Sequence, residues 1–146
     1  MMLLVATLCA ATLLAGCAKE PDRIVGAKTE DGRFRLTLDA TEGWVRPGFS
    51  LPVKVRVESL TGPVVEPWYS AIELLGNNGD VSSSSVEVSF DGVAEGEAAD
   101  AADAVFEAWV TFDADKVKVA AQGEVHAIFL GTAVVLKLRI TPESGG

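Results

Sequence analysis

The chain has 146 residues, of which 49% are apolar, and this length and composition suit one domain with a hydrophobic core. Its 12 basic and 21 acidic residues give a net charge of −9, which argues against binding to nucleic acid and against electrostatic attraction to an anionic membrane surface. The two cysteines, Cys9 and Cys17, both lie near the start of the chain, so a domain that begins at Cys17 would contain no disulfide.

Residues 1–16, MMLLVATLCAATLLAG, are uncharged and are apolar or small throughout. This stretch is short for a membrane-spanning helix, which needs about 20 apolar residues, and it fits the apolar part of a secretory signal. The alternative is an uncleaved apolar N-terminal helix. The stretch runs into Leu14-Ala15-Gly16-Cys17, which resembles the lipobox of bacterial lipoproteins at every position.

The lipobox resemblance implies a defined modification and a location. The Cys17 thiol would carry a diacylglyceryl group, and cleavage before Cys17 would free an amine that many such proteins also acylate. Residues 1–16 would then be a signal peptide, although no basic residue precedes Lys19 as signal peptides usually require. The family's retention signal after the cysteine is Asp. This chain has Ala18 there, so the resemblance implies the outer membrane where the organism has one.

The segment from Cys17 to Gly32 is polar and shows no apolar period, which predicts a flexible tether. After Gly32 the sequence alternates with period two, which predicts half-buried strands over residues 33–40 and 51–59. The predicted inward positions are Phe34, Leu36, Leu38 and Ala40 in the first strand and Leu51, Val53, Val55 and Val57 in the second.

Five further strands are predicted over residues 68–75, 85–90, 106–112, 124–130 and 133–140. A turn signal spans Asn77 to Asp80, and Gly131-Thr132 is predicted as the turn of a closing hairpin. The Ala-rich stretch from Glu97 onward is either a short helix or a loop. Seven strands without a long helical period predict an all-β antiparallel sandwich.

Two stretches resemble bacterial immunoglobulin-like domains. WVRPGFSLPVKVRVES, Trp44 to Ser59, is similar to their second strand, and Ala120 to Ile140 is similar to their last two strands. The resemblance implies an immunoglobulin-like sandwich over residues 33–141, followed by a tail of residues 142–146. The Cys…Trp…Cys signature of antibody domains does not occur in the sequence, so an antibody-like domain is not implied.

Residues that could support catalysis are sparse. His126 is the single histidine and lies in an alternating strand, where it is expected on the polar face, because a lone histidine makes neither a zinc site nor a Ser-His-Asp site. The sequence contains no nucleophile-elbow, zinc-protease or phosphate-cradling motif. It therefore predicts no catalytic residue, no metal site and no cofactor.

Acidic and aromatic residues are the remaining candidates. Ten acidic residues and no basic residue lie between Asp80 and Asp115. Half of these lie within residues 91–103, the acidic stretch. This stretch is either a solvated loop or a calcium site. Trp109 alternates with predicted core positions, so it is predicted to point outward, where it either packs under a loop or contacts a partner. The candidate partner contacts are Trp109, Asp91, Glu95, Glu97, Asp100 and Asp103.

These features predict a lipid-anchored cell-envelope protein with a binding or structural role and no catalysis of its own. Its partners would be the membrane, through the lipid on Cys17, and an unknown protein or surface polymer, but no nucleic acid. The alternative is an accessory subunit of an envelope enzyme or transport complex. A free-standing enzyme is the least expected class, because the usual set of acid, base and nucleophile is missing.

Overall fold

The computed structural model describes residues 23–142, which form ten β-strands and one short 3-10 helix. The strands are β1 (Ile24–Lys28), β2 (Phe34–Ala40), β3 (Trp44–Val45), β4 (Ser50–Ser59), β5 (Trp68–Asn77), β6 (Gly79–Val81), β7 (Ser85–Phe90), β8 (Val105–Ala114), β9 (Ala121–Phe129) and β10 (Thr132–Ile140), and the 3-10 helix spans Ala101–Ala104. The predicted all-β class is confirmed. The predicted signal peptide, Cys17 and residues 143–146 lie outside the described residues.

The described residues contain three strands beyond the seven predicted, namely β1, β3 and β6, which are 5, 2 and 3 residues long. Segments this short carry too few alternating residues to be recognised, and pairing with longer neighbours stabilises them. β1 corrects the predicted tether, because residues 24–28 pair with β2 along their whole length. Val25 and Ala27 of β1 pack against the core, so the sandwich begins at Ile24 and not at residue 33.

The strands form two five-stranded sheets. Sheet A has the order β1-β2-β4-β8-β6, and sheet B has the order β3-β10-β9-β5-β7. The short β3 runs parallel to β10, whereas the long neighbours such as β4 and β8 or β9 and β10 are antiparallel. The two sheets enclose one apolar core, which is the arrangement of a β-sandwich.

Alternation decides which side chains fill this core. Every inward position predicted for the strands over 33–40 and 51–59 is buried. Val55 is 0% exposed, whereas the side chain of the next residue, Arg56, is 41% exposed. The largest fully buried side chains are Phe34, Phe112, Phe129, Leu36, Leu38, Ile72, Leu136, Leu138, Ile140, Val53, Val55 and Val57.

Aromatic rings cluster at the end of the core where β2, β5, β7 and β9 meet. The ring centroid of Trp68 lies 4.7 Å from that of Phe34, 6.0 Å from that of Phe90 and 6.1 Å from that of Phe129. The adjacent Tyr69 points to the outer face of sheet B and is 61% exposed. Trp68 and Tyr69 therefore split across the two faces of β5, as the pleat requires.

The predicted turn at residues 77–80 carries the chain from β5 in sheet B to β6 in sheet A. Asn78 adopts the left-handed region with φ 56, and its Nδ2 donates a hydrogen bond to Gln122 O at 2.7 Å. A Cβ at Gly79 would lie 2.6 Å from Asp113 O and would collide with the Phe112 ring. Glycine is therefore required where the chain enters β6.

The closing hairpin of β9 and β10 is confirmed, but its turn lies one residue earlier than predicted. Leu130 and Gly131 form the turn, with φ 48 and φ 77, and Thr132 is already the first residue of β10. Positive φ at both central residues is the requirement of a type I′ turn, which matches the twist of the flanking strands.

Candidate functional site

Trp109 lies near the middle of β8, on the outer face of sheet A. Its neighbours Val110 and Phe112 belong to the core, and the pleat of a strand directs alternate side chains to opposite faces. Trp109 is consequently 59% exposed. A large aromatic ring that is accessible on the face of a sheet offers an apolar surface to a ligand, with one polar N–H group at its edge.

A row of side chains crosses the outer face of sheet A beside this ring. The strand register aligns Ile24, Asp39, Lys54 and Trp109 on four neighbouring strands. Lys54 Nζ lies 5.4 Å from the Trp109 ring centroid. Such a cation–π contact contributes about 0.5–1 kcal/mol at an exposed site, so Lys54 restricts the orientation of the indole.

Glu107 joins this row to a second basic side chain. Lys54 Nζ lies 3.8 Å from Glu107 Oε2, and Arg56 Nε lies 3.6 Å from Glu107 Oε1. Arg56 Nε is shielded from solvent and has no hydrogen-bond partner among the described residues, because 3.6 Å is longer than a hydrogen bond. These partly exposed ion pairs stabilise the fold only weakly, and they position the charges that surround Trp109.

The acidic stretch forms the connection between β7 and β8, and among the described residues its carboxylates do not gather into a group of three or more that could hold a metal ion. Glu95 and Glu97 are exposed. Asp100 Oδ1 accepts a hydrogen bond from the Ala102 N–H at 2.8 Å, and Asp103 Oδ2 accepts one from the Asp100 N–H at 2.9 Å. This reciprocal capping box begins the 3-10 helix, so two of the acids stabilise local structure.

The connection between β4 and β5 holds the acidic stretch in place. The Val64 N–H donates to Asp103 O at 2.9 Å, and the Val93 N–H donates to Val65 O at 2.9 Å. Asp91 and Asp103 line one side of a cleft of about 150 Å³ between these two connections. The Ala-rich stretch is a loop that contains one short 3-10 helix, Ala101–Ala104, so each of the two predicted alternatives is correct for part of it.

The structure does not bring Trp109 and the acidic stretch into one site. The stretch ends where β8 begins at Val105, and Trp109 follows four residues later, which is about 13 Å at the rise of a strand. The candidate partner contacts thus divide into a sheet face around Trp109 and a loop at one end of the sandwich. The Trp109 face is the candidate functional site, because its side chains are aligned by rigid strands.

His126 lies on the outer face of sheet B, as predicted for a polar-face residue. Its Nε2 lies 3.4 Å from Glu124 Oε1, and the side chain is about one-third exposed. A hydrogen bond from Asn77 Nδ2, at 3.0 Å, is the main cause that lowers the pKa of Glu124 below its ordinary value of 4.5, and His126 lowers this pKa further. Within residues 23–142, no group of three or more His, Cys, Asp or Glu residues could hold a metal ion.

Sequence reasoning missed an apolar surface on the outer face of sheet B. A shallow depression of about 610 Å³ is lined by residues that include Leu75, Ile128, Ala133 and His126, and Leu75 is 68% exposed. Ile128 lies between the inward Ala127 and Phe129, so alternation was an available signal for it. The sequence of residues 68–75 does not show which face of the strand points inward, so Leu75 could not be assigned to the outer face.

No helix within residues 23–142 is long and apolar enough to cross a membrane. Comparison with known proteins gives no match, either to a family model or to a curated protein.

Proposed function

We propose that this chain is a lipid-anchored cell-envelope protein that acts by binding a partner and carries out no catalysis of its own. The lipid anchor rests on the lipobox resemblance of Leu14-Ala15-Gly16-Cys17. The observation that carries the binding role is Trp109, a 59% exposed tryptophan on a regular sheet face. Burying the apolar area of this ring against a partner would lower the free energy of the complex. Lys54 lies over the ring and pairs with Glu107, so charged side chains lie beside an aromatic anchor, as at the rim of protein interfaces.

We also propose that the sandwich is immunoglobulin-like. The central strands of sheet A follow the order β2-β4-β8, and those of sheet B follow the order β10-β9-β5. These orders match strands A-B-E and G-F-C of an immunoglobulin-like sandwich. The match supports the immunoglobulin-like assignment, and the additional strands β1, β3, β6 and β7 are placed at the ends of the two sheets. Such sandwiches serve as rigid carriers for surface contacts.

The position of β1 bears on the anchor. A lipid on Cys17 would be separated from Ile24, the first residue of β1, by a chain that spans at most about 25 Å when fully extended. The predicted tether ending at Gly32 would have allowed about 50 Å. The domain would therefore be held close to the membrane surface, where its contacts are restricted to nearby partners.

The anchor is tested by mass spectrometry of the full chain expressed in a bacterial envelope. We expect a mature chain that begins at Cys17 and carries acyl groups, and we expect Cys17→Ala to block both lipid attachment and cleavage. Cys9→Ala is the matched control, since Cys9 lies within the predicted signal peptide and its loss should leave the mature chain unchanged. An unmodified mature chain that starts elsewhere would overturn the lipoprotein assignment.

The binding role is tested by affinity capture from detergent-solubilised envelope with the full chain and two variants. Trp109→Ala should lose the captured partner, whereas Tyr69→Ala, which removes an equally exposed aromatic from the opposite sheet, should retain it. A captured protein complex would support the accessory-subunit role, and retention on a glycan would support adhesion. Equal capture by both variants and the unaltered chain would overturn the Trp109 face as the binding surface.

A further inference from the structure

Hydrogen bonds around Thr111 show which edge of β8 is unpaired. The Ser82 N–H donates to Thr111 O at 2.9 Å, and the Thr111 N–H donates to Ser82 Oγ at 2.9 Å. In an antiparallel strand the N–H and C=O of one residue point to the same side, and this side alternates along the strand. Glu107 and Trp109 therefore direct their backbone groups to the same edge as Thr111, away from β4.

This edge of β8 has no strand beside its first half. β6 ends at Val81 and pairs only with residues 112–114 of β8. The Val105 N–H donates to Ala102 O within the 3-10 helix cap. The Val105 carbonyl and both backbone groups of Glu107 and Trp109 have no partner among the hydrogen bonds of residues 23–142.

The unpaired edge lacks several devices that usually prevent strand addition. Exposed edges are commonly blocked by Pro, Lys, bulges or very short strands. The segment VFEAW, Val105 to Trp109, contains neither Pro nor Lys. Its pairing with β4 is continuous, from Glu58 opposite Val105 to Lys54 opposite Trp109. The edge is therefore free of bulges and already held in an extended conformation.

The charge of this side of the sandwich specifies what could pair there. The chain from Asp80 to Asp115 builds β6, β7, the acidic connection and β8, and it contains no basic residue. Its acidic residues are Asp80, Glu87, Asp91, Glu95, Glu97, Asp100, Asp103, Glu107, Asp113 and Asp115. An acidic strand would be repelled by these carboxylates, whereas Lys and Arg side chains would be attracted. The basic Lys54 and Arg56 lie on the opposite side of β8, in β4, and are already paired with Glu107.

We infer that residues Val105–Trp109 bind an extended, basic segment of a partner protein as an additional strand of sheet A. Main-chain hydrogen bonds to Glu107 and Trp109 would provide affinity, as in other cases of β-strand addition. Glu107 would face a basic side chain across the new pair, and the exposed Trp109 ring would receive an apolar or cationic one. This inference rests on the proposed function, since it names the partner class of the Trp109 face.

The direct test uses nuclear magnetic resonance of the isotope-labelled full chain in detergent micelles. The probe is a synthetic peptide of alternating lysine and valine, and the control peptide carries proline in place of valine. We expect the first peptide to shift the amide signals of Glu107 and Trp109 and to slow their hydrogen exchange. The proline peptide should do neither, since proline lacks the N–H that a strand needs. Shifts confined to other residues, or no shifts at millimolar peptide, would overturn the inference.

Variants of the edge separate hydrogen bonding from charge. Glu107→Pro removes an N–H that faces the open edge and spares the pairing with β4, and it should weaken peptide binding about tenfold. Glu107→Gln retains the N–H and should weaken binding less. Glu87→Lys is a control on β7 in the other sheet and should have a smaller effect than Glu107→Lys. Equal affinities of Glu107→Pro and the unaltered chain would refute strand addition.

Peptide binding to two variants, followed by nuclear magnetic resonance, distinguishes strand addition from the proposed binding role of the Trp109 face. If Trp109→Ala abolishes peptide binding and Glu107→Pro leaves it unchanged, the Trp109 face remains the binding surface and strand addition is refuted. If neither variant changes binding, both are refuted. Hydrogen exchange in the unaltered chain provides an answer even if Glu107→Pro does not fold.

Discussion

Substitution of Val55 by Asp tests the alternation that underlies the whole sandwich. Val55 is 0% exposed and lies in the central region of sheet A, between Leu38 of β2 and Ala108 of β8. A carboxylate at this position would face only apolar neighbours in the core. Leaving a buried charge without a partner destabilises a protein by about 3–5 kcal/mol, so this substitution should remove a large part of the free energy of unfolding.

Substitution of Arg56 by Asp is the matched control, because it introduces the same residue one position along the same strand. The Arg56 side chain is 41% exposed and lies 3.7 Å from Glu58 and 3.6 Å from Glu107. The variant loses two partly exposed ion pairs and places a third carboxylate beside two others. With about 0.2–1 kcal/mol for each such pair, we expect a loss of about 1–2 kcal/mol.

Urea unfolding followed by tryptophan fluorescence measures the difference. With a denaturant slope of about 2 kcal/mol/M, the midpoint should fall by about 2 M for Val55→Asp and by less than about 1 M for Arg56→Asp. If Val55→Asp does not fold, Val55→Thr buries one hydroxyl in the same volume and should cost about 1–3 kcal/mol. Equal midpoint losses for the two Asp variants would refute the assigned strand register.

Three further predictions concern separate parts of the fold. Calorimetry should give the same Tm in millimolar calcium and in chelator, because among the described residues the carboxylates of 91–103 form no group that could hold a metal ion; a real site at about 100 times its Kd would add about 2.7 kcal/mol and raise Tm by several degrees. Gly123→Ala should lower the free energy of unfolding, because its Cβ would lie 2.8 Å from Phe112 Cζ, and an unchanged urea midpoint would contradict this packing. A hydrogen bond from the Thr29 hydroxyl is the main cause that lowers the pKa of Asp31 below its ordinary value of 3.8. This carboxylate therefore stabilises the fold above its ordinary pKa, and the contribution is lost as the pH falls through the lowered folded pKa. Asp31→Asn should be less stable than the unaltered chain at neutral pH, with a difference that vanishes in strong acid; a difference independent of pH would contradict it.

The outward direction of Trp109 could be predicted from the sequence, but the side chains that contact it could not. The outward direction of Trp109 follows from the pleat, because Val110 and Phe112 alternate with it in a local pattern. The contact between Lys54 and Trp109 depends on the register of β4 against β8. Alternation specifies the face of each strand but leaves open which residue of a distant strand lies opposite.

For the acidic stretch, too, the sequence predicted the kind of segment but not its contacts. Its composition predicted a solvated loop with a calcium alternative. In the structure Asp100 caps the 3-10 helix, Asp103 completes the capping box, and the segment packs against the connection from β4 to β5. Main-chain contacts such as that between Val64 and Asp103 involve residues far apart in the chain, so composition alone could not reveal them.

The sequence by itself determined the all-β class, the faces of most strands and most of the core, because the side-chain period of a strand is a local property that burial converts into alternating apolar residues. Only the tertiary structure decided that β1 completes sheet A, where five residues with a weak pattern pair along the length of β2. It also decided that β6 stops at Val81 and leaves Glu107 and Trp109 at an unpaired edge. Strand order and strand ends depend on long-range pairing, which the local pattern of side chains does not encode.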